Sequence, residues 1–114
     1  MSGIMGMILG SGGGFSLSMA PGDQSPSGTA GTFDFNAEVV SINGFAGGAT
    51  YGWALTNQLG GTFTVLSGTG TNTVVARVSG VASLSLATAT IECTVTIGGI
   101  SKTVTANLSY NRTI

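Results

Sequence analysis

The sequence contains no histidine, one cysteine, and only three basic and four acidic residues among 114. A structural zinc site needs four Cys or His ligands, so this set of residues excludes one. The lone Cys93 excludes an intrachain disulfide. Without histidine, serines and the thiol lack their usual activating base. We therefore predict no catalytic, cofactor-binding or metal-binding residues, and we expect a protein that is not an enzyme.

The scarcity of charge points to assembly. Charged residues make up 6% of the chain, whereas ordinary soluble domains have about 25%. The basic residues Arg77, Lys102 and Arg112 form no cluster, so binding to nucleic-acid phosphates is not expected. A net charge of -1 gives little protection against association. We expect a chain surrounded by copies of itself and other subunits, as a homo-oligomer. A neutral polar β surface is the alternative interpretation.

The few remaining chemical groups favour structure over catalysis. Lys102 is predicted on an exposed strand face, which disfavours a role as the base of a serine nucleophile. Asp34 and Glu38 lie four residues apart, which along a strand separates them by about 13 Å. That separation is too wide for glycoside hydrolysis unless the strand bends at Asn36-Ala37. Cys93 is expected to be a small core residue.

Residues 1–14, hereafter the N-terminal segment, are apolar and uncharged. The segment lacks the basic start of a secretion signal and is shorter than the roughly 20 apolar residues of a membrane span. No membrane insertion is expected. We predict a docking segment buried against a partner, although a first strand tucked onto the chain's own core is the alternative. Its candidate interface residues are Ile4, Met5, Met7, Ile8 and Leu9.

Residues 15–114 are predicted to form one all-β domain of about seven strands. Apolar and polar residues alternate without interruption over 90–97, and Gly98-Gly99 is typical of a tight hairpin turn into a return strand over 100–110. Residues 51–55 place Tyr51, Trp53 and Leu55 on one face. Residues 79–87 remain open between a link with one helical turn and an extended piece.

This body resembles an immunoglobulin-like or PKD-like β-sandwich, through Tyr51-Gly-Trp53 and the stretch 89–95. The resemblance implies that Trp53 packs on Cys93 across the core. Two departures are visible. The family's second core cysteine would fall near Val40 or Ile42, where this chain has no cysteine, so no disulfide to Cys93 is expected. Ile91 replaces the tyrosine that the family has two residues before Cys93.

The opening Met1-Ser-Gly-Ile-Met5, with its glycine-rich apolar continuation, resembles the start of small virion proteins of tailed bacteriophages. The resemblance implies a virion location, in the tail or fibre apparatus, with other virion proteins as partners. A head decoration protein is one alternative. A module that binds carbohydrate or a host cell-surface glycan is another, with Phe45 and Tyr51 as candidate contacts. Phe45 is also expected to be exposed and to touch a partner.

Overall fold

The computed structural model describes residues 15–41 and 48–114. Strands make up 67% of these residues and no helix occurs among them, so none that could cross a membrane is found there. The strands are β1 Leu17–Ala20, β2 Ser27–Gly28, β3 Phe33–Ser41, β4 Thr50–Leu59, β5 Thr62–Ser67, β6 Thr73–Ser79, β7 Leu86–Ile97 and β8 Ile100–Arg112.

The strands form two sheets of four, in the orders β1-β3-β6-β5 and β2-β8-β7-β4. All neighbours are antiparallel except β2 and β8, which run parallel. Buried side chains from both sheets form a single core between them, including Phe35 and Val78 of the first sheet and Ile91 and Leu108 of the second. The predicted all-β class is confirmed.

The core follows from alternation along the strands. In β7, the residues Ala87, Ala89, Ile91, Cys93 and Val95 are buried, while the residues between them face outward. Ile97 pairs with Ile100 across the predicted turn, and Gly98 and Gly99 have φ values of 58° and 83°. Because glycine tolerates positive φ, it suits this turn. The predicted hairpin is confirmed.

The connection before this hairpin contradicts one of the two interpretations of residues 79–87, the link with one helical turn. Residues 80–85 form an irregular connection without a helical turn, and β7 begins earlier than the alternation indicated, at Leu86. Leu84 in this connection has φ of 56°. A leucine in the left-handed region is unusual, since its Cβ crowds the following carbonyl.

The segment before β3 runs along the edge of β8. Gln24 bridges Leu108, and β2 pairs with Asn111 and Arg112. This pairing covers backbone groups that an edge strand otherwise leaves open to association. Ser27–Gly28 is too short to show a periodic pattern in the sequence.

Candidate interaction surfaces

The candidate interface residues of the sequence analysis lie outside the described residues. This holds for Phe45 and for all five apolar residues of the N-terminal segment: Ile4, Met5, Met7, Ile8 and Leu9. The structure does describe the residues that adjoin them, namely Phe15, Ser41 and Gly48. These residues establish where the two segments join the body.

Both segments join the body at one end. Leu17 near the first junction pairs with Ser41 at the second. Across the core, Thr50 pairs with Thr96, which in turn pairs with Ser101 beside the Gly98-Gly99 turn. The N-terminal segment and residues 42–47 therefore connect to the end of the molecule that carries the β7–β8 turn.

Phe15 forms a buried anchor at this end. It is 5% exposed and belongs to the core. The Nζ of Lys102 donates a hydrogen bond to the Phe15 carbonyl oxygen and lies 4.9 Å from the centroid of its ring. A cation above an aromatic face adds attraction beyond packing. The chain therefore enters the core at a fixed point.

This placement corrects the prediction for Lys102. We expected its side chain on the exposed face, but Lys102 shares the core-facing side of β8 with Val104 and Ala106 and is half-buried. It is accommodated there because its aliphatic stem packs beside the core while the ammonium reaches the Phe15 carbonyl.

Cys93 and Trp53 lie on neighbouring strands of one sheet. They are direct partners in the β4–β7 register, so the contact across the core implied by the resemblance is not formed between them. Cys93 is 0% exposed, whereas Trp53 is half-buried against the core. The indole Nε1 of Trp53 donates to the Thr71 carbonyl at 2.8 Å, which ties β4 to the β5–β6 connection.

The Cys93 thiol is held in its neutral form. Burial raises its pKa to about 11, against a smaller lowering by a backbone hydrogen bond from Gly52. Because the thiolate is the nucleophile and the metal ligand, this environment does not suit either role. In the described ranges, no three His, Cys, Asp or Glu residues are grouped to hold a metal ion.

The three basic residues all make contacts within the body. Arg77 forms a two-bonded pair with Asp34, at 2.8 and 3.1 Å, and this hydrogen bonding lowers the Asp34 pKa. Arg112 donates to the carbonyls of Thr29 and Val81. Lys102 contacts Phe15, so all three basic side chains make contacts within the fold.

The first sheet carries a shallow groove of about 370 Å³ on its outer face. Asn36, Glu38 and Thr73 contribute polar side chains, and Ala20 and Pro21 form one wall. Glu38 is the only ionisable residue in this lining. A single carboxylate does not provide the acid and base pair that hydrolysis of glycosides requires.

The outer face of the second sheet is a polar ladder with little charge. Hydroxyl groups pair across β7 and β8, at 2.8 Å between Thr94 and Thr103 and 2.7 Å between Thr96 and Ser101. On these two strands the outward positions include one charged residue, Glu92. Cross-strand hydroxyl pairs of this kind stabilise a sheet.

Three exposed leucines, hereafter the end patch, lie at the far end of this sheet or in the connection next to it. Leu59, Leu84 and Leu86 are 71%, 74% and 55% exposed. Leu59 pairs with Thr88 after a register shift in β4, which places it diagonally beside Leu86 on the outer face. A Cβ on Gly60 would come within 2.2 Å of the Leu86 carbonyl oxygen, so the β4 end and the β7 start are tightly packed.

The sequence analysis did not single out this patch. Leu59 precedes the Gly60-Gly61 turn and Leu84 lies in the ambiguous stretch 79–87, so neither belonged to a clear alternating pattern. The usable signal was Leu86 itself, which falls on the polar side of the alternation that continues through Thr88 and Thr90.

No protein-family model matches the chain, and no curated protein matches it at a significant level.

Proposed function

We propose that this chain is a non-enzymatic structural protein of a tailed-phage virion, located in the tail or fibre apparatus. Its body is an immunoglobulin-like β-sandwich, and its N-terminal segment docks it onto other virion proteins. The assignment to a virion depends on the resemblance of the opening residues, and the docking role depends on the geometry of the body.

The strand order supports an immunoglobulin-like sandwich. In that fold one sheet has the order A-B-E-D and the other contains C, F and G. The first sheet here, β1-β3-β6-β5, follows the first order if the main strands are lettered along the chain. In the second sheet, β4, β7 and β8 take the places of C, F and G, with β2 as a short addition beside β8.

The observation that carries the docking role is the Phe15 anchor. Phe15 is buried in the core, and its carbonyl oxygen accepts a hydrogen bond from Lys102. The segment therefore leaves from a defined point beside the β7–β8 turn. A fixed starting point supports docking at this end of the body.

The chemistry of the described residues supports a structural role over catalysis. The basic side chains are bonded within the body, and burial keeps the only thiol neutral. The aromatic residues of the ranges 15–41 and 48–114 are buried or half-buried, including Tyr51. Exposed aromatic rings are the usual platform for a sugar, so the body does not favour the carbohydrate-binding alternative.

The experiment is incorporation into particles. We define the segment variant as the full-length chain with five substitutions in the N-terminal segment: Ile4→Ser, Met5→Ser, Met7→Ser, Ile8→Ser and Leu9→Ser. Quantitative immunoblotting of gradient-purified particles should find the wild-type chain and little of the segment variant. Circular dichroism should show the same strand content for both, since the body is unchanged.

A matched control alters exposed apolar surface elsewhere. Leu66→Thr, on β5, removes a leucine that is 46% exposed and should incorporate like wild type. Incorporation of the segment variant at the wild-type level would contradict docking through the N-terminal segment. Immunogold labelling then distinguishes the tail or fibre from the alternative, a decoration on the head.

A further inference from the structure

We infer that the open edge of β4 pairs with the β4 of a second copy, antiparallel and about a two-fold axis. The second sheets of the two copies then join into one continuous sheet. This contact is separate from docking through the N-terminal segment, so it goes beyond the proposed function and either contact can fail without the other.

The strand β4 lies at the end of the second sheet, which has the order β2-β8-β7-β4. In the described ranges, no strand pairs with its far side. Alternate residues of an antiparallel edge strand direct their backbone N–H and C=O groups outward. Such a row of groups is a template for another strand. The β7–β8 hairpin determines which residues of β4 face outward.

The alternation of hydrogen bonds along β7 starts at its turn. The residues that flank a two-residue turn bond to each other, and here they are Ile97 and Ile100. Odd-numbered residues of β7 therefore bond to β8, and even-numbered residues bond to β4. The N–H of Arg112, which donates to the Ser85 carbonyl at 2.9 Å, continues the same alternation.

The residues on the open side of β4 include Trp53 and Leu55. The β4 partners of even-numbered β7 residues, whose backbone groups face β7, are Thr50, Gly52, Ala54 and Thr56. The backbone groups of Trp53 and Leu55, which lie between them, point to the open edge. Their side chains face the core but are only half-buried, whereas their β7 partners Cys93 and Ile91 are fully buried. A further strand would complete the cover at this edge.

Two other sheet edges are closed by the body itself. Beside β8, the N–H of Gln24 donates to the Asn107 carbonyl and the N–H of Ser109 donates to the Gln24 carbonyl, both at 2.9 Å. On β5, the side-chain amide of Gln58 bonds both the N–H and the C=O of Phe63, at 2.9 and 3.1 Å. Covering an edge in this way prevents pairing with another chain.

The stretch from Thr50 to Thr56 of β4 lacks the usual protection of an edge strand. It contains no charged residue and no proline, and its register against β7 shifts only after Thr56. By comparison, β1 has four residues and is followed directly by Pro21. Long, uncharged and regular edges are those that pair with other chains.

A second copy of β4 fits this edge better than the N-terminal segment does. Residues 50–56 contain one glycine and include the strand-forming types Thr, Tyr and Trp. The N-terminal segment has glycine at positions 3, 6, 10 and 12–14, and glycine weakens a strand. An edge that is open in one copy is open in every copy, so each copy supplies the strand that the other needs.

A two-fold axis at Ala54 brings matching groups together. Trp53 of one copy then lies opposite Leu55 of the other, and each such pair exchanges both backbone hydrogen bonds. On the outer face, Gly52 lies opposite Thr56. The indole N–H of Trp53 already donates to the Thr71 carbonyl, so pairing buries no unpartnered indole N–H.

Electrostatic repulsion across this axis is weak. The strand β4 carries no charge, and Glu92 of β7 is the direct partner of Ala54. The Glu92 residues of the two copies would lie three strand spacings apart, which is about 14 Å. This separation exceeds the Debye length of about 8 Å at physiological ionic strength.

Charged substitutions on the outer face of β4 test the contact. The lysine variant carries Gly52→Lys and Thr56→Lys, and the glutamate variant carries Gly52→Glu and Thr56→Glu. A Cβ on Gly52 would have the Thr94 carbonyl oxygen as its nearest neighbour, at 4.0 Å, so a side chain fits there. Because like charges then lie opposite each other across the axis, each variant alone should have a dimer Kd at least about tenfold above that of wild type.

Sedimentation velocity on full-length chains measures this association. The wild-type chain should form dimers as concentration rises, since a two-fold contact closes on itself. A mixture of the lysine and glutamate variants should form heterodimers, because opposite charges now meet. The control variant, Thr103→Lys with Thr105→Lys, adds the same charge to β8 and should dimerise like wild type. The segment variant keeps β4 unchanged and should do the same.

Amide hydrogen exchange measured by NMR locates the contact. The N–H groups of Trp53 and Leu55 should exchange at least about tenfold more slowly in the wild-type dimer than in the lysine variant. The N–H of Ala54, which faces β7, should be slow in both. Protection of Trp53 and Leu55 in a monomeric wild-type chain would mean that the chain covers this edge itself, and the inference would be wrong.

Three further results would overturn the inference: a wild-type chain that is monomeric at about 1 mM, a lysine variant that dimerises like wild type, or a mixture of the two charge variants that stays monomeric. If the segment variant loses self-association while the lysine variant keeps it, copies associate through the N-terminal segment and the β4 contact is wrong. Particle incorporation of the segment variant tests the proposed function separately, because that variant leaves β4 intact.

Discussion

Lys102, Trp53 and Tyr110 show how the body uses its polar and aromatic side chains at the scale of single residues. Each has its polar atom bonded to a backbone carbonyl in a distant segment, at Phe15, Thr71 and Ala30 respectively. Buried or half-buried polar groups need such partners. These hydrogen bonds tie loops to strands, so polar and aromatic side chains of types common in functional sites are parts of the framework here.

Cys93 gives a pH-dependent prediction. The folded thiol has a pKa of about 11 against an ordinary 9.0, so the unfolded chain loses its proton first as pH rises. The free energy of unfolding should be unaffected below pH 9 and should fall between pH 9 and 11 by about 2 kcal/mol. Urea unfolding across this range measures it.

Cys93→Val is the matched control, because it keeps an apolar side chain of similar size and has no proton to lose. Every other ionisable side chain is the same in the two chains, so the difference between the two curves isolates the thiol. Parallel curves for wild type and Cys93→Val would contradict the assignment.

The Phe15 anchor gives a second prediction. Lys102→Met keeps the aliphatic stem but removes the ammonium from the Phe15 carbonyl and ring. We expect a loss of about 1 kcal/mol and faster amide hydrogen exchange in β1. Lys102→Arg, which retains a cation and donors, should change both less. Unaltered exchange in β1 for Lys102→Met would show that Lys102 does not hold the anchor.

At the scale of elements, regular alternation made the β7–β8 hairpin predictable, and local exceptions hid the rest. Ile91, Cys93 and Val95 follow the period of two and are buried. Lys102 also occupies an inward position of this alternation, but because it is charged we predicted it on the exposed face. The polar face is interrupted at Leu59 because a register shift in β4 turns this residue outward, which no pattern in the sequence indicates.

The contact between β2 and β8 gives a third prediction. A Cβ on Gly28 would lie 2.6 Å from the Tyr110 hydroxyl oxygen, and this hydroxyl donates to the Ala30 carbonyl at 2.6 Å. Gly28→Ala should therefore destabilise the body by about 1–3 kcal/mol. Tyr110→Phe should cost about 1–2 kcal/mol, since the Ala30 carbonyl loses its donor.

The two changes should not be additive. Removing the hydroxyl gives the new methyl group room, so the double variant should be more stable than the sum predicts, by at least about 0.5 kcal/mol. Denaturant unfolding of the four chains measures this coupling. Strict additivity would mean that Gly28 is required for another reason.

At the scale of the whole molecule, the body is a support whose two ends differ. One end holds the buried Phe15 and the junctions of the N-terminal segment and residues 42–47. The other exposes the end patch. The all-β class could be predicted from the sequence because alternation covers most strands. The difference between the two ends could not be predicted, since it depends on which strand ends meet in space.

Methionine oxidation tests most directly whether the N-terminal segment is covered by a partner. Met5 and Met7 lie in the segment, whereas Met19 is buried in the core and serves as an internal reference. Hydrogen peroxide converts accessible methionine to its sulfoxide, and mass spectrometry reports the rate at each site. The rates at Met5 and Met7 should fall at least about tenfold from dissociated chain to assembled particles, while Met19 stays slow in both. Equal rates at Met5 and Met7 in the two states would contradict the account.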